Sequence, residues 1–417
     1  MIPRAATASR LLRPASFTTG HRVYEAQSGW VTFPSFESFM SPNSPFAPEF
    51  SDELVATVAL SLASGIGPKL QSALLEQFGS ACDVLLQPKE VLLTVNGIGP
   101  KTATSIIEKG LLDEARELLL ECHALEVDVL DQQHKDYPQR LREICDPPTV
   151  LYRKGALLPQ DELAIGIVGS RRCTVYGRRQ AERMAASLSR AGFTIVSGLA
   201  RGIDAAAHRG ALKSGGRTLA ILASGVKTIY PPEHKALAED ISQQGALLSE
   251  MPLDQRPLPG LFPQRNRMIS GICLGVIVIE ATRNSGALYT ARHALEQGRE
   301  VFALPGPVDS LASEGCHDLI RDGVTLVRNV DDVLSELGPL AVPSTLSSSV
   351  TIHSPRELTL NVQETEVLNQ ITLQPTGIDE VLRGCKMESS RVLATLTVLE
   401  MRRLIRRLPG NSFVRHD

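Results

Sequence analysis

LAIGIVGSRR (163–172), FTIVSGLARGID (193–204), TLAILAS (218–224) and GVIVIEATRNSGA (275–287) decide how this chain folds. Each opens as a short apolar run and breaks at Gly, Ser or Glu. ALLSE (246–250) and VFALPG (301–306) repeat the form. Apolar runs of this length, bounded by turn residues, predict strands buried on both faces. Helical patterns lie between them, such as Arg178–Arg190 and Gly286–Gln297. That alternation predicts a mostly parallel, doubly wound α/β sheet with helices on both sides. Ligands of such sheets sit beyond the carboxyl ends of the strands. The residues that follow the strands are therefore the first candidates for function.

Four segments qualify. Gly169-Ser170-Arg171-Arg172 follows the first strand. Small residues let the backbone approach an anion, a helix start offers free N–H groups, and arginines add phosphate contacts. Neither G-x-G-x-x-G nor G-x-x-x-x-G-K-[ST] occurs, which removes a dinucleotide fingerprint and a P-loop. Ser197-Gly198-Leu199-Ala200-Arg201-Gly202-Ile203-Asp204 turns into a helix that carries His208. Asp204 and His208 could share a helix face, but two ligands without a third make a poor metal site. Asp204 reads instead as a stabiliser of the helix start. Phe262-Pro263-Gln264-Arg265-Asn266-Arg267 sets arginines beside an aromatic face, the pairing used by sequence-tolerant single-strand binders. Thr282-Arg283-Asn284-Ser285-Gly286-Ala287 opens a further helix on the same rim. Taken singly, each segment reads equally as a tight turn or a core Phe with solvated arginines. Their convergence on one rim favours an anion site. Glu250 and Glu280 end strands on that edge and could serve acid–base chemistry. A nucleotide N-glycosidic hydrolase is thus the alternative function, although no nucleophile set of signature spacing accompanies them.

Bulk properties constrain the rest. Lys plus Arg (43) nearly balances Asp plus Glu (46), so a basic surface must be local. Seven cysteines lack C-x-x-C spacing and are odd in number, which reads as reduced thiols in a cytoplasmic protein with no zinc site. No cofactor is expected. No apolar run reaches the roughly 18 residues of a membrane span. Residues 1–50 read as an unstructured tail or an extension from an upstream start codon, with transit-peptide-like composition as the alternative. Residues 51–122 repeat Gly65-Ile66-Gly67-Pro68-Lys69 at Gly97-Ile98-Gly99-Pro100-Lys101, the mark of helix-hairpin-helix units. Residues 123–160 form a connector to the α/β domain at 161–337. A Pro/Ser/Thr-rich linker at 338–356 leads to residues 357–417, where three helical segments and a strand pair read as a winged helix. Its Arg402, Arg403, Arg406 and Arg407 could meet phosphates.

Together these residues resemble the DprA/Smf (DNA-processing protein A) family. The matching string includes Gly169-Ser170-Arg171, Ser197-Gly198-Leu199-Ala200-x-Gly202-Ile203-Asp204, Tyr230-Pro231, Phe262-Pro263-x-Arg265-Asn266-Arg267, Ser285-Gly286 and Pro305-Gly306. Similarity covers roughly Ser51 to Leu337 and is densest in the α/β part. The resemblance implies a Rossmann-like domain that binds single-stranded DNA without sequence preference, protects incoming strands in natural transformation and loads the RecA recombinase. It also implies a homodimer, with Leu319–Val327 at its surface, and no catalytic residue. By the same likeness Arg171, Phe262, Arg265, Asn266 and Arg267 would form the main DNA pocket. Ser170, Ser197, Gly198, Ser285 and Gly286 would add backbone or hydroxyl contacts to phosphate.

Overall fold

A computed structural model of the chain divides at Val127 into two units, Met1–Val127 and Asp128–Asp417. It describes residues 49–337 without a break, the short strands Pro14–Thr18, His21–Ala26 and Gly29–Phe33, the pair Thr345–Leu346 with Val350–Thr351, and most of 362–415. The expected tail at 1–50 and linker at 338–356 otherwise lie outside the described residues, as do Arg402 and Arg403.

Between residues 52 and 124 the chain forms helices α1 (Asp52–Leu62), α2 (Pro68–Phe78), α3 (Ala81–Leu85), α4 (Lys89–Leu92), α5 (Pro100–Ile106) and α6 (Leu111–Ala124). Ser51 caps α1 through the Leu54 amide at 3.2 Å. The repeated hairpins each turn through a positive-φ glycine, Gly65 at 84° and Gly97 at 90°, and enter α2 or α5 at a proline.

The second unit is built on one sheet. Its strands are β1 (Val127–Asp131), β2 (Val150–Gly155), β3 (Ala164–Gly169), β4 (Thr194–Ser197), β5 (Thr218–Ile221), β6 (Ala246–Ser249), β7 (Gly275–Ile279), β8 (Glu300–Ala303) and β9 (Thr325–Leu326). Their order across the sheet is β9-β8-β7-β3-β4-β5-β6-β2-β1. From β9 to β6 all pairings are parallel, and β2 runs antiparallel to β6. The stretch 123–160, read from sequence as a connector, thus supplies two strands; its polar alternation hid them among turn residues.

Helices α7 (Gln139–Arg142), α8 (Val175–Arg190), α9 (Ile203–Lys213), α10 (Lys235–Gln244), α11 (Leu261–Ile272), α12 (Ala287–Glu296), α13 (Glu314–Arg321) and α14 (Val330–Leu337) accompany the sheet. Alternate strand residues feed opposite cores, as the two-residue side-chain period requires. Val276 and Val278 of β7 pack with Met268, Ile269, Ala287 and Ala291 of α11 and α12. Ile277 and Ile279 pack with Met184 and Leu188 of α8 and Ile203 of α9. Both faces are covered, so the doubly wound reading holds. The chain leaves β3 toward β4, β5 and β6, then returns to place β7 on the other side of β3. The switch point therefore lies between the carboxyl ends of β3 and β7, where a crevice opens.

The C-terminal segment contains α15 (Val362–Asn369), β10 (Thr376–Gly377), α16 (Ile378–Gly384), α17 (Ser389–Met401), β11 (Ile405–Leu408) and β12 (Ser412–Arg415). Val367, Val381, Leu396, Leu399, Ile405 and Phe413 form its own core. Three helices and an antiparallel three-stranded sheet make a winged helix.

Ile277 is fully buried at the centre of the sheet. Ile277→Ala should cost about 2–5 kcal/mol. Urea unfolding followed by circular dichroism should show a matching fall in the midpoint.

Candidate nucleic-acid interface

Helix periodicity explains how the site is assembled. Phe262, Arg265, Asn266 and Ile269 stand at i, i+3, i+4 and i+7 of α11, so they share one face. All four line a groove of about 760 Å³ at the switch point. Ser170, Arg171 and Arg172 come to the same groove from the end of β3, and Ser285, Gly286, Tyr289 and Thr290 from the start of α12. Gly198, Arg201 and Tyr230 line a small recess beside it that also touches Arg171 and Phe262.

Backbone bonds tie the loops of the switch point. The Ser170 amide donates to the Glu280 carbonyl at 2.7 Å, and the Ile203 amide donates to the Ser170 carbonyl at 3.2 Å. The Arg172 amide donates to the Ser170 hydroxyl at 3.1 Å. The buried Glu280 carboxylate accepts the Thr174 amide at 2.7 Å and also the Thr174 hydroxyl. Thr174 in turn caps α8. Glu280 is therefore the fastener of the 170–174 loop.

Arg171 is exposed, and its guanidinium lies 4.7 Å from the centroid of the Phe262 ring. The Tyr230 ring meets Phe262 edge-on at 5.8 Å, and Arg201 lies 6.0 Å from Tyr230. Cation–ring contacts of this kind hold an arginine over an aromatic face while its N–H groups stay available.

Arg265 differs in character. It is 4% exposed and donates from Nη1 to the Gly198 carbonyl at 2.6 Å and to the Ile221 carbonyl. Burial pushes its pKa down to about 10, with buried Asp204 opposing that and Arg171 adding to it. Asp204 accepts the Gly198 amide at 3.2 Å and the Ala200 amide at 3.4 Å, and burial raises its own pKa. A Cβ on Gly198 would fall 2.3 Å from Arg265 Nη1, so only glycine fits there. Asn266 accepts from Arg265 Nε at 3.3 Å and donates to the Gly286 carbonyl at 3.3 Å, joining α11 to the loop before α12.

Two expected residues stand elsewhere. Arg267 is two positions from Arg265, so the helix turns it to the opposite side. There it pairs with Glu250 and, at 3.2 Å, with Asp146, only 5% exposed. Ser197 is fully buried and its hydroxyl donates to the Ile167 carbonyl at 2.6 Å, so it presents nothing to the groove. Glu250 and Glu280 are equally committed to partners within the fold. Arg406 is exposed. Tyr289 escaped the sequence reading, and Arg201 stood in a quoted segment without a role of its own. In a chain with 4% aromatic residues, a tyrosine four positions after Ser285 was a usable signal.

His208 is not a metal ligand of any cluster among the described residues. It is fully buried, with Nδ1 2.7 Å from the Thr218 hydroxyl, which itself donates to the Ile195 carbonyl at 2.8 Å. Nδ1 is therefore the protonated nitrogen of a neutral ring.

Comparison with known proteins matches the description "DNA recombination-mediator protein A" over residues 128–338, "DprA winged helix domain" over 353–411 and "SAM-like Helix-hairpin-helix tandem" over 58–109. Protein Smf of Escherichia coli is 41% identical over 277 residues, 66% of this chain and 74% of that protein. Protein Smf of Synechocystis is 32% identical over 86% of this chain and 98% of its own length. The X-ray structure of DNA processing protein A from Streptococcus pneumoniae aligns with a TM-score of 0.58 at 33% identity, covering 69% of this chain and 99% of that one.

Burial lowers the His208 pKa to about 3, below its ordinary 6.5. The unfolded chain then binds the proton more readily, so this contribution to stability is complete above pH 6.5 and is lost as pH falls toward 3. Between pH 6.5 and about 5 the wild type should lose about 2 kcal/mol relative to His208→Gln, at about 1.4 kcal/mol per pH unit. Urea midpoints of both proteins across that range measure it, and parallel curves would contradict it.

Proposed function

This chain belongs to the DNA recombination-mediator protein A (DprA/Smf) family, and we propose that its groove binds single-stranded DNA without sequence preference. The observation that carries the reading is the Arg171–Phe262 pair at the groove mouth. Phe262 offers a base a face on which to stack, and every base has such a face. Arg171 offers phosphate an exposed cation that is in no ion pair among the described residues. Arg172 adds a second exposed cation beside Ser170, and the start of α12 at Ser285 and Gly286 adds the positive end of a helix. Nothing in this set reads a base edge, so the contacts position a strand without selecting its sequence.

In this reading the protein is a binding protein rather than an enzyme. By family likeness it is a cytoplasmic homodimer that shields incoming strands and passes them to RecA. The roles expected of Arg265 and Arg267 change. Arg265 acts on DNA by shaping the floor, and Arg267 acts only by holding α11. The hydrolase alternative gains no support, because Glu250 and Glu280 both face inward to partners.

Fluorescence anisotropy of labelled oligo-dT tests the proposal. Arg171→Ala and Phe262→Ala should each weaken binding of all sequences alike, Phe262→Ala by roughly 5- to 150-fold for one lost stack. With about three phosphates neutralised, the log–log salt slope should be about −2, at roughly −0.7 per phosphate. Salt-indifferent binding, or a loss confined to particular sequences, would refute it. Arg267→Met should lower the melting temperature and leave the affinity of the folded fraction within a factor of about two.

A further inference from the structure

The groove has a second aromatic side chain placed like the first. Tyr289 stands in the first turn of α12, is 52% exposed and lines the groove. The Arg292 guanidinium lies 5.6 Å from its ring centroid. Arg292 is itself exposed and, like Arg171, takes part in no ion pair among the described residues. The pair Tyr289–Arg292 therefore repeats on α12 what Phe262–Arg171 does on α11: a ring with an exposed cation, in no ion pair among the described residues, held over one of its faces.

The backbone fixes the spacing between the two. Asn266 is one helical turn from Phe262, and its amide donates to the Gly286 carbonyl at 3.3 Å. That same carbonyl accepts the Tyr289 amide at 3.2 Å. Phe262, Asn266, Gly286 and Tyr289 thus form one connected line along the groove wall. The exposed half of the Tyr289 side chain gains nothing from burial in the free protein, whereas a stacked base would cover it. Clefts of roughly 300–1,000 Å³ take an entire drug-sized molecule, so a groove of about 760 Å³ leaves room beyond the base on Phe262.

We propose that Tyr289 is a second base-stacking seat, with Arg292 its phosphate partner. A single strand then crosses the groove with one base on Phe262, its phosphates over Ser170–Arg171 and Ser285–Gly286, and a later base on Tyr289. This rests on the groove being the single-strand site.

The test is oligo-dT anisotropy with full-length protein carrying Tyr289→Ala, Phe262→Ala, or Leu295→Ala, an exposed position on α12 that does not line the groove. Tyr289→Ala should weaken binding of long oligo-dT by roughly 5- to 150-fold. It should affect mono- and dinucleotides far less, because these cannot reach both seats. Leu295→Ala should bind as wild type. Tyr289→Trp supplies a second readout: its emission, above the background of Trp30, should be quenched by long oligo-dT. If Phe262→Ala weakens binding while Tyr289→Ala does not, and Tyr289→Trp is unquenched, the second seat is refuted and the single-strand site stands. If wild type binds no oligo-dT, both fall together. Should Tyr289→Ala misfold by circular dichroism, the Tyr289→Trp quench decides alone.

Discussion

Arg265 carries a positive charge almost wholly out of water at the groove floor, and the site is arranged around that fact. Removing a cation from water costs several kcal/mol unless hydrogen bonds and an opposite charge replace the lost hydration. Here the replacements are the Gly198 and Ile221 carbonyls and the nearby Asp204. Ile221 ends β5 and Gly198 follows β4, positions where carbonyls run out of strand partners. One guanidinium therefore fastens α11 to two strand ends at once. The fastening demands a bare backbone at Gly198 and a carboxylate at Asp204. Gly198 and Asp204, six residues apart, and Arg265, distant in sequence, thus constrain one another.

The remainder of the groove inherits its geometry from that joint. Phe262 and Asn266 share the helix face of Arg265, so fixing one sets the bearing of the others. Asn266 then passes the position to α12 through Gly286. On the far side, Glu280 holds the 170–174 loop and with it the backbone beside Arg171. Arg267 grips Glu250 and Asp146 from the back of α11, so the helix is held on both sides by buried charge. The exposed face of the groove, Arg171 and Phe262 included, thus stands on elements held in place by the buried Arg265, Arg267 and Glu280.

The sheet was legible because its strands are unbroken apolar runs ended by Gly, Ser or Glu, a pattern that needs no tertiary information. The rim was legible for the same reason, since a doubly wound sheet places its ligands at those ends. β1 and β2 were not, because VDVLD and VLYRKG mix charge with apolar residues and sit among prolines. Phe262–Arg267 was read as a linear string of useful side chains. Folded as a helix, the same string splits, with Arg265 inward to the groove floor and Arg267 to the opposite side. Ser197 failed as a candidate for a related reason: the last residue of a buried strand spends its hydroxyl within the sheet. Only the scarcity of aromatic residues pointed to Tyr289 in the sequence, since its meaning comes from Arg292 one turn on and from the groove beside it.

The way the sheet ends has a consequence for how the protein keeps company with itself. A long flat strand at a sheet margin is a template on which another chain can add, and aggregation starts there. One margin here is β9, only two residues long. The other is β1, which carries Asp128, tied to Arg153 at 2.7 Å, and Asp131, whose carboxylate bends the chain away by accepting the Gln133 and His134 amides at 2.9 and 2.8 Å. The large, mostly parallel sheet thus ends in a stub on one side and in acid on the other, two features that disfavour growth of a sheet from copy to copy.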